Sequence, residues 1–559
     1  MFYWLVTIAI LGSVVVLFYV FNYYEKIRAT NKSLEKIKGK WGRPVNARRN
    51  FKLIASYLNA LDHPDKLTQI ITEDLDLNGI FDFIDRTNSK PGKQYLYKTL
   101  FTPKTSLEEL LALDKKIDVI NIHRPDLEQI ELELAKLNNN DAYYLADLFL
   151  KEHKLLMVTP MRLFVRLSGI AIIGLLVSLL IIPALLTVLI LALLIAGNIG
   201  LHYGTKSKIS SYTQSLPQLL ILHSVAKHLL KKINFENDKQ VIASLTHLAG
   251  LNRTLKLVSF ESKLADTPDN LVYSLFKIIK IIFLLEPLMF ITSVKRVNKY
   301  RGDIETLFNY VAEIDSLIAI LSVRIGLPNY SKPAFHTATQ IELIEMYHPL
   351  IYNCVPNNIY IRADEGVLIT GSNMSGKTTF IRSVAVNALL AQTIFTTCTQ
   401  AYKAPLLKLQ TSVKKNDNLD KDKSYFQAEA LSILDIINQS SVEEPVKSLI
   451  IIDEIFKGTN TIERVAAAKS VLTYLTDNKN FVFVSTHDLE LAELLNNDYA
   501  VYSFEETVND TRLVFDYKIK NGVLKNKNGI AILETIGYPE SVVEDAYIVS
   551  EELKHKYQM

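Results

Sequence analysis

The residues most able to do chemistry in this chain of 559 residues lie in one glycine-containing loop. A short apolar run from Gly366 leads into Gly371-x4-Gly376-Lys377-Thr378, and a helical pattern follows. The glycines let the backbone N–H groups face a phosphate chain, the lysine reaches the β and γ phosphates, and the next hydroxyl can bind Mg²⁺. The spacing therefore predicts a loop that binds ATP and Mg²⁺, formed by Gly371, Ser372, Asn373, Met374, Ser375, Gly376, Lys377, Thr378 and Thr379.

Two acids follow a second apolar run downstream. The stretch Ser448-Leu-Ile-Ile-Ile-Asp453-Glu454 is typical of a parallel strand that is buried on both faces. We expect Asp453 to hold Mg²⁺ directly or through water, and Glu454 to be the general base that deprotonates the attacking water. A third apolar run ends before His487, which could sense the γ phosphate. The alternatives are an exposed acidic pair and a structural histidine, but together the motifs predict an enzyme that hydrolyses ATP.

Composition limits the classes of protein that remain. Hydrophobic residues make up 49% of the chain and charged residues 22%, and the mean hydropathy is +0.14, which is too apolar for a disordered chain. The net charge of +3 is not that of a protein dedicated to nucleic acid. Cys354 and Cys398 have no CxxC spacing, so neither a disulfide framework nor a zinc site is expected. The length allows three or four domains, and only 20 Gly and 17 Pro favour a mainly helical protein.

The amino-terminal region is apolar enough to cross a membrane. No charged residue lies between Phe2 and Tyr24, and such a helix would reach roughly 34 Å, more than a hydrocarbon core of about 30 Å. The residues up to 49 are strongly basic, which places that side in the cytoplasm by the positive-inside rule. We predict a membrane anchor at 1–24 and a basic juxtamembrane segment at 25–60. A cleaved signal peptide is the alternative for the anchor.

A second apolar run extends from Leu167 to Leu201 without a charge. One helix of that length would measure about 52 Å, so we predict a break at Pro183 and a transmembrane hairpin of two helices of about 16 to 18 residues, at about 165–203. A buried helix pair in a soluble protein is the alternative. A third apolar stretch, 278–292, is interrupted by Glu286 and Pro287 and is expected to lie in the helical core. These features predict a multi-pass protein of the inner cell membrane with a cytoplasmic ATPase domain.

The motifs around the loop resemble those of the MutS family of DNA mismatch repair ATPases. The pair Asn373-Met374 is the discriminating detail, because most phosphate-binding loops lack it. Residues 417–429 resemble a Ser-x-Phe-x-x-Glu element, which implies that Ser424 completes the site of the opposing subunit. Cys354-Val-Pro-Asn357 resembles the stretch that flanks the adenine, which implies a base contact from Val355. The resemblance is carried by Thr370-Gly-Ser-Asn-Met-Ser-Gly-Lys-Thr-Thr379, Asp453-Glu-Ile-Phe-Lys-Gly-Thr-Asn-Thr461 and Ser485-Thr-His-Asp488.

The resemblance implies a fold and an assembly. It implies an α/β P-loop NTPase domain of the ABC type at 336–548, an all-α core or lever domain at 61–335 that the predicted hairpin interrupts, and a polar tail at 549–559. It also implies catalysis in a homodimer. A mismatch-reading amino-terminal domain is not expected ahead of the helical core. Lys414, Lys415 and Lys423 stand where the family has small or polar residues.

The leading function is therefore a membrane-anchored MutS-like ATPase that binds and hydrolyses ATP in a composite dimer site. Binding of mismatched or structured DNA is implied by the resemblance alone, and the basic residues 26–49 favour an anionic lipid bilayer over nucleic acid as their partner. The alternatives are an ATP-driven membrane transporter and a membrane-tethered conformational switch that does not bind DNA. A scaffold without catalysis is disfavoured because Lys377, Asp453 and Glu454 are all present.

Overall fold

The structure is a computed structural model, which describes most of the chain. The residues described are 20–21, 23–25, 27–153, 158–182, 184–233, 235, 238–254, 271–337, 339–363, 365–372, 374–413, 425–440, 446–456, 458–509, 512–523 and 529–557. Residues 1–19 of the predicted anchor lie outside this range. The predictions for Asn373, Ser424, Lys414, Lys415 and Lys423 also fall on residues outside it.

The chain divides into two compact units. The helical unit comprises Met1–Asp62, Ile84–Lys98 and Lys116–Gly326, and the α/β unit comprises His63–Phe83, Thr99–Lys115 and Leu327–Met559. The region 61–335, for which one helical domain is predicted, thus contributes three stretches to the α/β unit, which are 63–83, 99–115 and 327–335.

Helices build the helical unit, with Arg301–Gly326 as its most buried long element. This helix is apolar on most of its circumference, as expected for a helix surrounded by others. Residues 27–40 are also helical, and short 3-10 helices lie at Arg124–Asp126 and Asn140–Leu145. The helices, three of which continue into the α/β unit, are Phe51–Ile54, Ser56–Asn59, Leu77–Ile84, Lys90–Phe101, Leu107–Ile122, Leu127–Ala135, Asp147–Leu150, Thr159–Ile181, Leu185–Lys232, Asp238–Thr254, Leu271–Ile282, Leu285–Lys299 and Arg301–Gly326.

Two helices of this unit form a hairpin in the predicted apolar run. The first spans Thr159–Ile181, and the second starts at Leu185 and continues to Lys232. Ile182 and Ala184 have extended backbone, so the helix breaks on either side of residue 183. Both helices are longer than the predicted 16 to 18 residues, because helical structure continues beyond the apolar residues at both ends of the run.

Three described helices are long and apolar enough to cross a membrane: Thr159–Ile181, the part 185–206 of the second hairpin helix, and Arg301–Gly326. The apolar window of the third helix is 83% buried inside the protein, against 17% and 11% for the two hairpin helices. Of these three helices, the two in the hairpin are therefore the ones that present an apolar surface outwards.

Two cations of the predicted juxtamembrane segment have partners inside the helical unit. The Lys40 ammonium donates to the Arg86 carbonyl at 2.9 Å, and the Arg49 guanidinium donates to the Asp85 carboxylate at 2.8 Å. Burial lowers the pKa of Lys40, an effect that the carboxylate of Glu131 opposes. These two charges are therefore used to hold the segment on the helical unit, which weakens the interpretation of the whole segment as a surface for lipid or nucleic acid.

A buried carboxylate organises the start of the helix Lys90–Phe101. Asp315 accepts hydrogen bonds from the backbone N–H groups of Asn88 at 2.9 Å and Ser89 at 2.7 Å, and from the Ser89 hydroxyl at 2.6 Å. Asp315 is fully buried, and this burial raises its pKa although the hydrogen bonds from Ser89 oppose the effect. The carboxylate thus fixes the two residues that precede the helix, and the Ser89 hydroxyl caps its first turn by accepting the Gly92 N–H at 3.0 Å.

We expect Gly92→Ala to destabilise the helical unit. A Cβ at residue 92 would overlap the Asp315 carboxylate, which cannot turn away without leaving the N–H groups at 88 and 89 unpaired. Overpacking of this kind costs about 2 to 3 kcal/mol, and for a unit of this size it lowers the melting temperature by about 4 to 12 °C. Thermal unfolding of the full chain in detergent measures the change.

Gly302→Ala is the matched control for this experiment. Residue 302 lies in the helix Arg301–Gly326, and nothing lies within 4 Å of a Cβ added there. Since alanine favours a helix over glycine, the control is expected to melt at the same temperature as the parent or slightly above it. Equal melting temperatures for the two variants would show that Gly92 is not packed against Asp315.

The α/β unit contains one mainly parallel sheet and one smaller sheet. The six-stranded sheet has the order β12-β9-β4-β8-β7-β6, with β12 antiparallel and the others parallel. The four-stranded sheet has the order β1-β5-β2-β3, and β10 pairs with β11. The strands are β1 Ala334–Phe335, β2 Gln340–Met346, β3 Asn357–Arg362, β4 Gly366–Gly371, β5 Ala401–Ala404, β6 Lys408–Ser412, β7 Ser448–Asp453, β8 Phe481–Ser485, β9 Tyr499–Phe504, β10 Glu506–Asn509, β11 Arg512–Phe515 and β12 Lys520–Asn521.

The central strands are buried because helices cover the sheet. Every residue of β4 and β8 is buried, and so is every residue of β7 before Asp453, in agreement with their continuous apolar runs. Side chains of these strands form one core with three helices of the unit, which are Tyr425–Gln439, Thr461–Asp477 and Leu489–Leu494. The other helices of the unit are Gln69–Asp74, Lys377–Thr393, Gly529–Ile536 and Glu540–Tyr557. The prediction of an α/β part and a helical part with apolar helices is confirmed.

Candidate functional site

The glycine-containing loop connects the carboxyl end of β4 to the helix Lys377–Thr393. Gly371 and Gly376 have φ angles of +146° and +111°, which side-chain-bearing residues rarely adopt. A Cβ at residue 371 would also lie 2.7 Å from the Phe504 carbonyl oxygen. The Ser375 hydroxyl donates to the Ser372 carbonyl at 2.9 Å and closes the loop. Both glycines are therefore required by the backbone of the loop.

The Lys377 side chain folds back over this loop. Its ammonium donates to the carbonyls of Gly371 at 2.6 Å and Ser372 at 2.7 Å. Lys377 is only 5% exposed, and this burial lowers its pKa, while the carboxylates of Asp453 and Glu506 raise it. The arrangement holds one cation at the mouth of the loop.

Asp453 and Thr378 come together from two different strand ends. Because β4, β8 and β7 are parallel neighbours, their carboxyl ends meet at one edge of the sheet. The Thr378 hydroxyl donates to Asp453 Oδ2 at 2.8 Å, and the Ser485 hydroxyl donates to Oδ1 of the same carboxylate. A carboxylate beside a hydroxyl is the hard oxygen donor set that Mg²⁺ prefers, so these residues fit the predicted cation.

Glu454 has an unusual backbone conformation at the end of β7. Its φ angle is +58°, which is uncommon for a residue other than glycine, and its N–H donates to the Ser485 carbonyl at 2.9 Å. This conformation costs of order 1–3 kcal/mol and is typical of functional sites. The Glu454 side chain lines the cavity beside the loop.

His487 lies next to Glu454 on the more exposed side. Its Nδ1 is 3.6 Å from Glu454 Oε1, its Nε2 is 3.8 Å from Asp488 Oδ1, and its side chain is 53% exposed. Arg464 holds Asp488 with two hydrogen bonds of 3.0 and 2.7 Å. His487 is thus beside the predicted base and does not belong to the cavity wall.

A cavity of about 460 Å³ lies against the loop, within the size range of small-molecule sites. The side chains of Met346, Phe504 and Tyr517 make part of its wall apolar. Of the residues predicted from sequence, Gly371, Ser375, Asp453 and His487 are not in its lining. Those that line the cavity are Val355, Ser372, Met374, Gly376, Lys377, Thr378, Thr379 and Glu454.

Asn357 organises the cavity at the Val355 end. Its amide donates to the carbonyls of Tyr517 at 2.9 Å and Val355 at 3.2 Å, and its Oδ1 accepts from the Ile519 N–H at 2.9 Å. From sequence, Asn357 is identified only as the last residue of the stretch Cys354-Val-Pro-Asn357. A local motif cannot reveal its role, because its partners at 517 and 519 lie far along the chain.

Glu506 is a site residue that the sequence analysis missed. It is 5% exposed, and its Oε2 accepts a hydrogen bond of 2.7 Å from the Ser372 hydroxyl of the loop. Its charge also raises the pKa of Lys377. Glu506 lies in the short strand β10, where nothing in the surrounding pattern indicates a functional role.

The described part of the Ser-x-Phe-x-x-Glu element packs on the segment after Glu454. The Glu429 carboxylate accepts the Phe456 N–H at 2.6 Å, and the rings of Phe426 and Phe456 are 5.8 Å apart. A Cβ at Gly458 would lie 2.9 Å from the Phe426 Cβ, so a glycine allows this close approach. Ser424 itself lies outside the described residues, and its role towards a second subunit stays a prediction.

Comparison with known proteins matches the region that forms this site. Residues 367–554 match the family model of MutS domain V. The DNA mismatch repair proteins MutS of Staphylococcus aureus strains JH9, Newman and N315 are each 29% identical to the chain over 281 residues. The match covers 48% of this chain and 32% of each relative. The chain thus spans about a third of the length of the curated relatives it matches.

Proposed function

We propose that this chain, a member of the MutS family, is a membrane-anchored ATPase that binds and hydrolyses ATP with Mg²⁺ in a site completed by a second copy of the chain. One observation carries the proposal. Lys377, Thr378, Asp453 and Glu454 converge at one edge of a parallel sheet, beside a cavity large enough for a nucleotide. The finer identification of the fold as an ABC-type P-loop NTPase is part of this proposal.

The chemistry assigned to each residue follows from its position. The loop N–H groups and Lys377 neutralise the β and γ phosphates, and Thr378 and Asp453 hold Mg²⁺. When bound, Mg²⁺ neutralises the charge that develops on the phosphate oxygens. Glu454 orients the attacking water and accepts its proton, and His487 senses the γ phosphate from beside the base.

The adenine is proposed to occupy the apolar end of the cavity. Val355 lies in the wall with Tyr517, and the Asn357 amide ties the two backbone segments together. An aromatic ring and an aliphatic side chain suit a flat base, since both offer apolar contact area.

A second copy of the chain is the proposed partner of the site. Met374 in the loop and Ile462, in the first turn of the helix Thr461–Asp477, are each 84% exposed. Large apolar side chains at the border of a site are typical of a surface that a partner covers. We propose that Ser424 of the second copy completes the site in trans.

The proposed location is the inner cell membrane, with the ATPase domain in the cytoplasm. The two hairpin helices are long and apolar, and little of their apolar surface is covered by the protein. Exposed basic residues, Arg166 and Lys206, stand near the two ends of the apolar run. Basic residues at both ends suit a hairpin that enters and leaves on the same side.

Two candidate roles for the ATPase differ in their use of DNA. Coupling to mismatched or structured DNA is supported by the MutS relatives, which are DNA mismatch repair proteins. A membrane-tethered conformational switch that does not bind DNA is favoured by one observation. Lys40 donates to the Arg86 carbonyl and Arg49 to the Asp85 carboxylate, so these two cations of the basic segment are already paired within the protein. We propose the DNA-coupled role.

ATPase rates with and without DNA test both roles. The chain is purified in detergent, and Mg²⁺-dependent ATP hydrolysis is measured alone and with duplex, mismatched and branched DNA. We expect hydrolysis that mismatched or branched DNA changes several-fold. An unchanged rate, together with no retardation of DNA in a gel at low salt, would assign the switch role and leave the ATPase in place. Absence of Mg²⁺-dependent hydrolysis under all conditions would refute the ATPase.

A further inference from the structure

The helix Leu271–Ile282 exposes apolar side chains in the stretch 278–292, which the sequence predicts to lie in the helical core. Its sequence, Leu-Val-Tyr-Ser-Leu-Phe-Lys-Ile-Ile-Lys-Ile-Ile, is strongly apolar, and Ile278 and Ile279 are 54% and 46% exposed. Phe290 and Ile291 in the next helix are buried as predicted. The first part of this stretch therefore has an apolar surface that the protein leaves uncovered.

The end of this helix is attached to both helices of the hairpin. The Asn198 amide, which is fully buried, donates to the Ile282 carbonyl at 2.7 Å. Leu284, in the turn that follows, shares a buried cluster with Val165 of the first hairpin helix. A Cβ built on Gly169 would lie 3.6 Å from the Phe283 ring, in ordinary contact. The turn 282–284 is therefore held between the hairpin helices.

The point of attachment lies on the lipid side of the basic residues. Gly169 is three residues beyond the exposed Arg166, and Asn198 is eight residues before the exposed Lys206. At about 1.5 Å per residue, these separations are about 5 and 12 Å along the hairpin. Amphipathic helices that lie in a membrane surface reach about 5–10 Å into the boundary between headgroups and acyl chains, so the first separation lies within this depth and the second slightly exceeds it.

The polar groups near the attachment are compatible with that position. The Lys280 ammonium pairs with the Glu286 carboxylate at 2.7 Å, and neither side chain is more than 17% exposed. The pair neutralises the charge of Lys280. The exposed Lys277 is the other ammonium of this helix, and a long lysine side chain at the membrane surface can reach the headgroups. Tyr203, 59% exposed, stands between Asn198 and Lys206, where aromatic side chains mark the interface of a membrane.

We propose that the helix Leu271–Ile282 is a second lipid-binding element, an interfacial helix that lies beside the hairpin in the leaflet nearest Arg166 and Lys206. The partner that covers the exposed face of this helix is the phospholipid bilayer. Ile278 and Ile279 enter the upper acyl-chain region. This inference rests on the proposed membrane location of the hairpin. It means that lipid contacts the helical unit through the hairpin and also through the helix that precedes Leu285–Lys299.

Quenching of tryptophan by brominated lipid tests the position of this helix. The two native tryptophans, Trp4 and Trp41, are first replaced by phenylalanine in the full chain. Single tryptophans are then introduced as I279W, as I173W on the exposed part of the hairpin, and as I122W at a position that is 76% exposed in the helix Leu107–Ile122. Each chain is reconstituted in phosphatidylcholine vesicles with bromine at carbons 6 and 7 of the acyl chain.

We expect I279W and I173W to lose at least about half of their emission relative to vesicles without bromine, and I122W to lose little. I278W serves as a second reporter if I279W does not fold. Quenching of I173W without quenching of I279W or I278W beyond the level of I122W would overturn the interfacial helix and leave the hairpin in place. Absence of quenching at I173W as well would refute the membrane location itself.

Discussion

Glu454→Gln is expected to slow ATP hydrolysis by about 10²- to 10⁴-fold while ATP still binds. The carboxylate lines the cavity at the end of β7, where the strained backbone at φ +58° and the N–H bond to the Ser485 carbonyl hold it in place. Glutamine keeps the shape and the backbone geometry but cannot accept the proton of the attacking water. Because Lys377, Thr378 and Asp453 are unchanged, the affinity for ATP should stay within a few-fold of the parent.

Single-turnover hydrolysis and equilibrium binding of a fluorescent ATP analogue measure the two effects separately. Glu493→Gln is the matched control, because Glu493 is exposed on the helix Leu489–Leu494 and lies outside the cavity lining. The control should hydrolyse ATP at the parental rate. A Glu454→Gln chain as active as the Glu493→Gln chain would exclude Glu454 as the base.

Lys377→Ala is expected to weaken both binding and hydrolysis. The ammonium is buried against the loop and donates to the carbonyls of Gly371 and Ser372, so its removal leaves those carbonyl dipoles without a cation. Loss of a charged hydrogen-bond donor of this kind weakens ATP affinity by about 10- to 100-fold. Loss of charge stabilisation on the γ phosphate lowers the hydrolysis rate by a further factor of about 10² to 10³.

The same two assays measure this prediction. Lys469→Ala, on the helix Thr461–Asp477 outside the cavity lining, is the matched control and should leave both quantities unchanged. The Glu454→Gln and Lys377→Ala chains are expected to differ in their affinity for ATP, since the first keeps nearly the parental affinity and the second loses most of it. A Lys377→Ala chain that binds and cleaves ATP like the Lys469→Ala chain would remove the proposed phosphate site.

The positions with local signals could be predicted from the residues alone. Gly371 and Gly376 carry the positive φ angles that a phosphate-binding loop needs, and a run of apolar residues ending in Asp453 marks a buried parallel strand. The same reasoning identified the apolar run of the hairpin and the break near residue 183, because helix breaking at proline depends on one residue.

Features that depend on distant partners required the tertiary structure. Glu506 meets Ser372 across 134 positions of the sequence, and Asn357 meets Tyr517 across 160. The composition of residues 26–49 favours lipid as their partner, but only the structure shows that Arg49 among them pairs with the buried Asp85. Hydrophobic periodicity indicates which residues are shielded from water, but it does not distinguish shielding by lipid from shielding by protein. The exposure of Ile278 therefore cannot be predicted from the sequence.

One physical reason separates the features that the sequence predicts from those that only the tertiary structure shows. Backbone conformation and the burial of a strand depend mainly on residues a few positions apart, so the residues themselves specify them. Which carboxylate faces which hydroxyl, and which apolar side chain remains uncovered, depends on the order of strands in the sheet and on helix packing. Those contacts form only when chain segments far apart in sequence meet, and no local pattern encodes them.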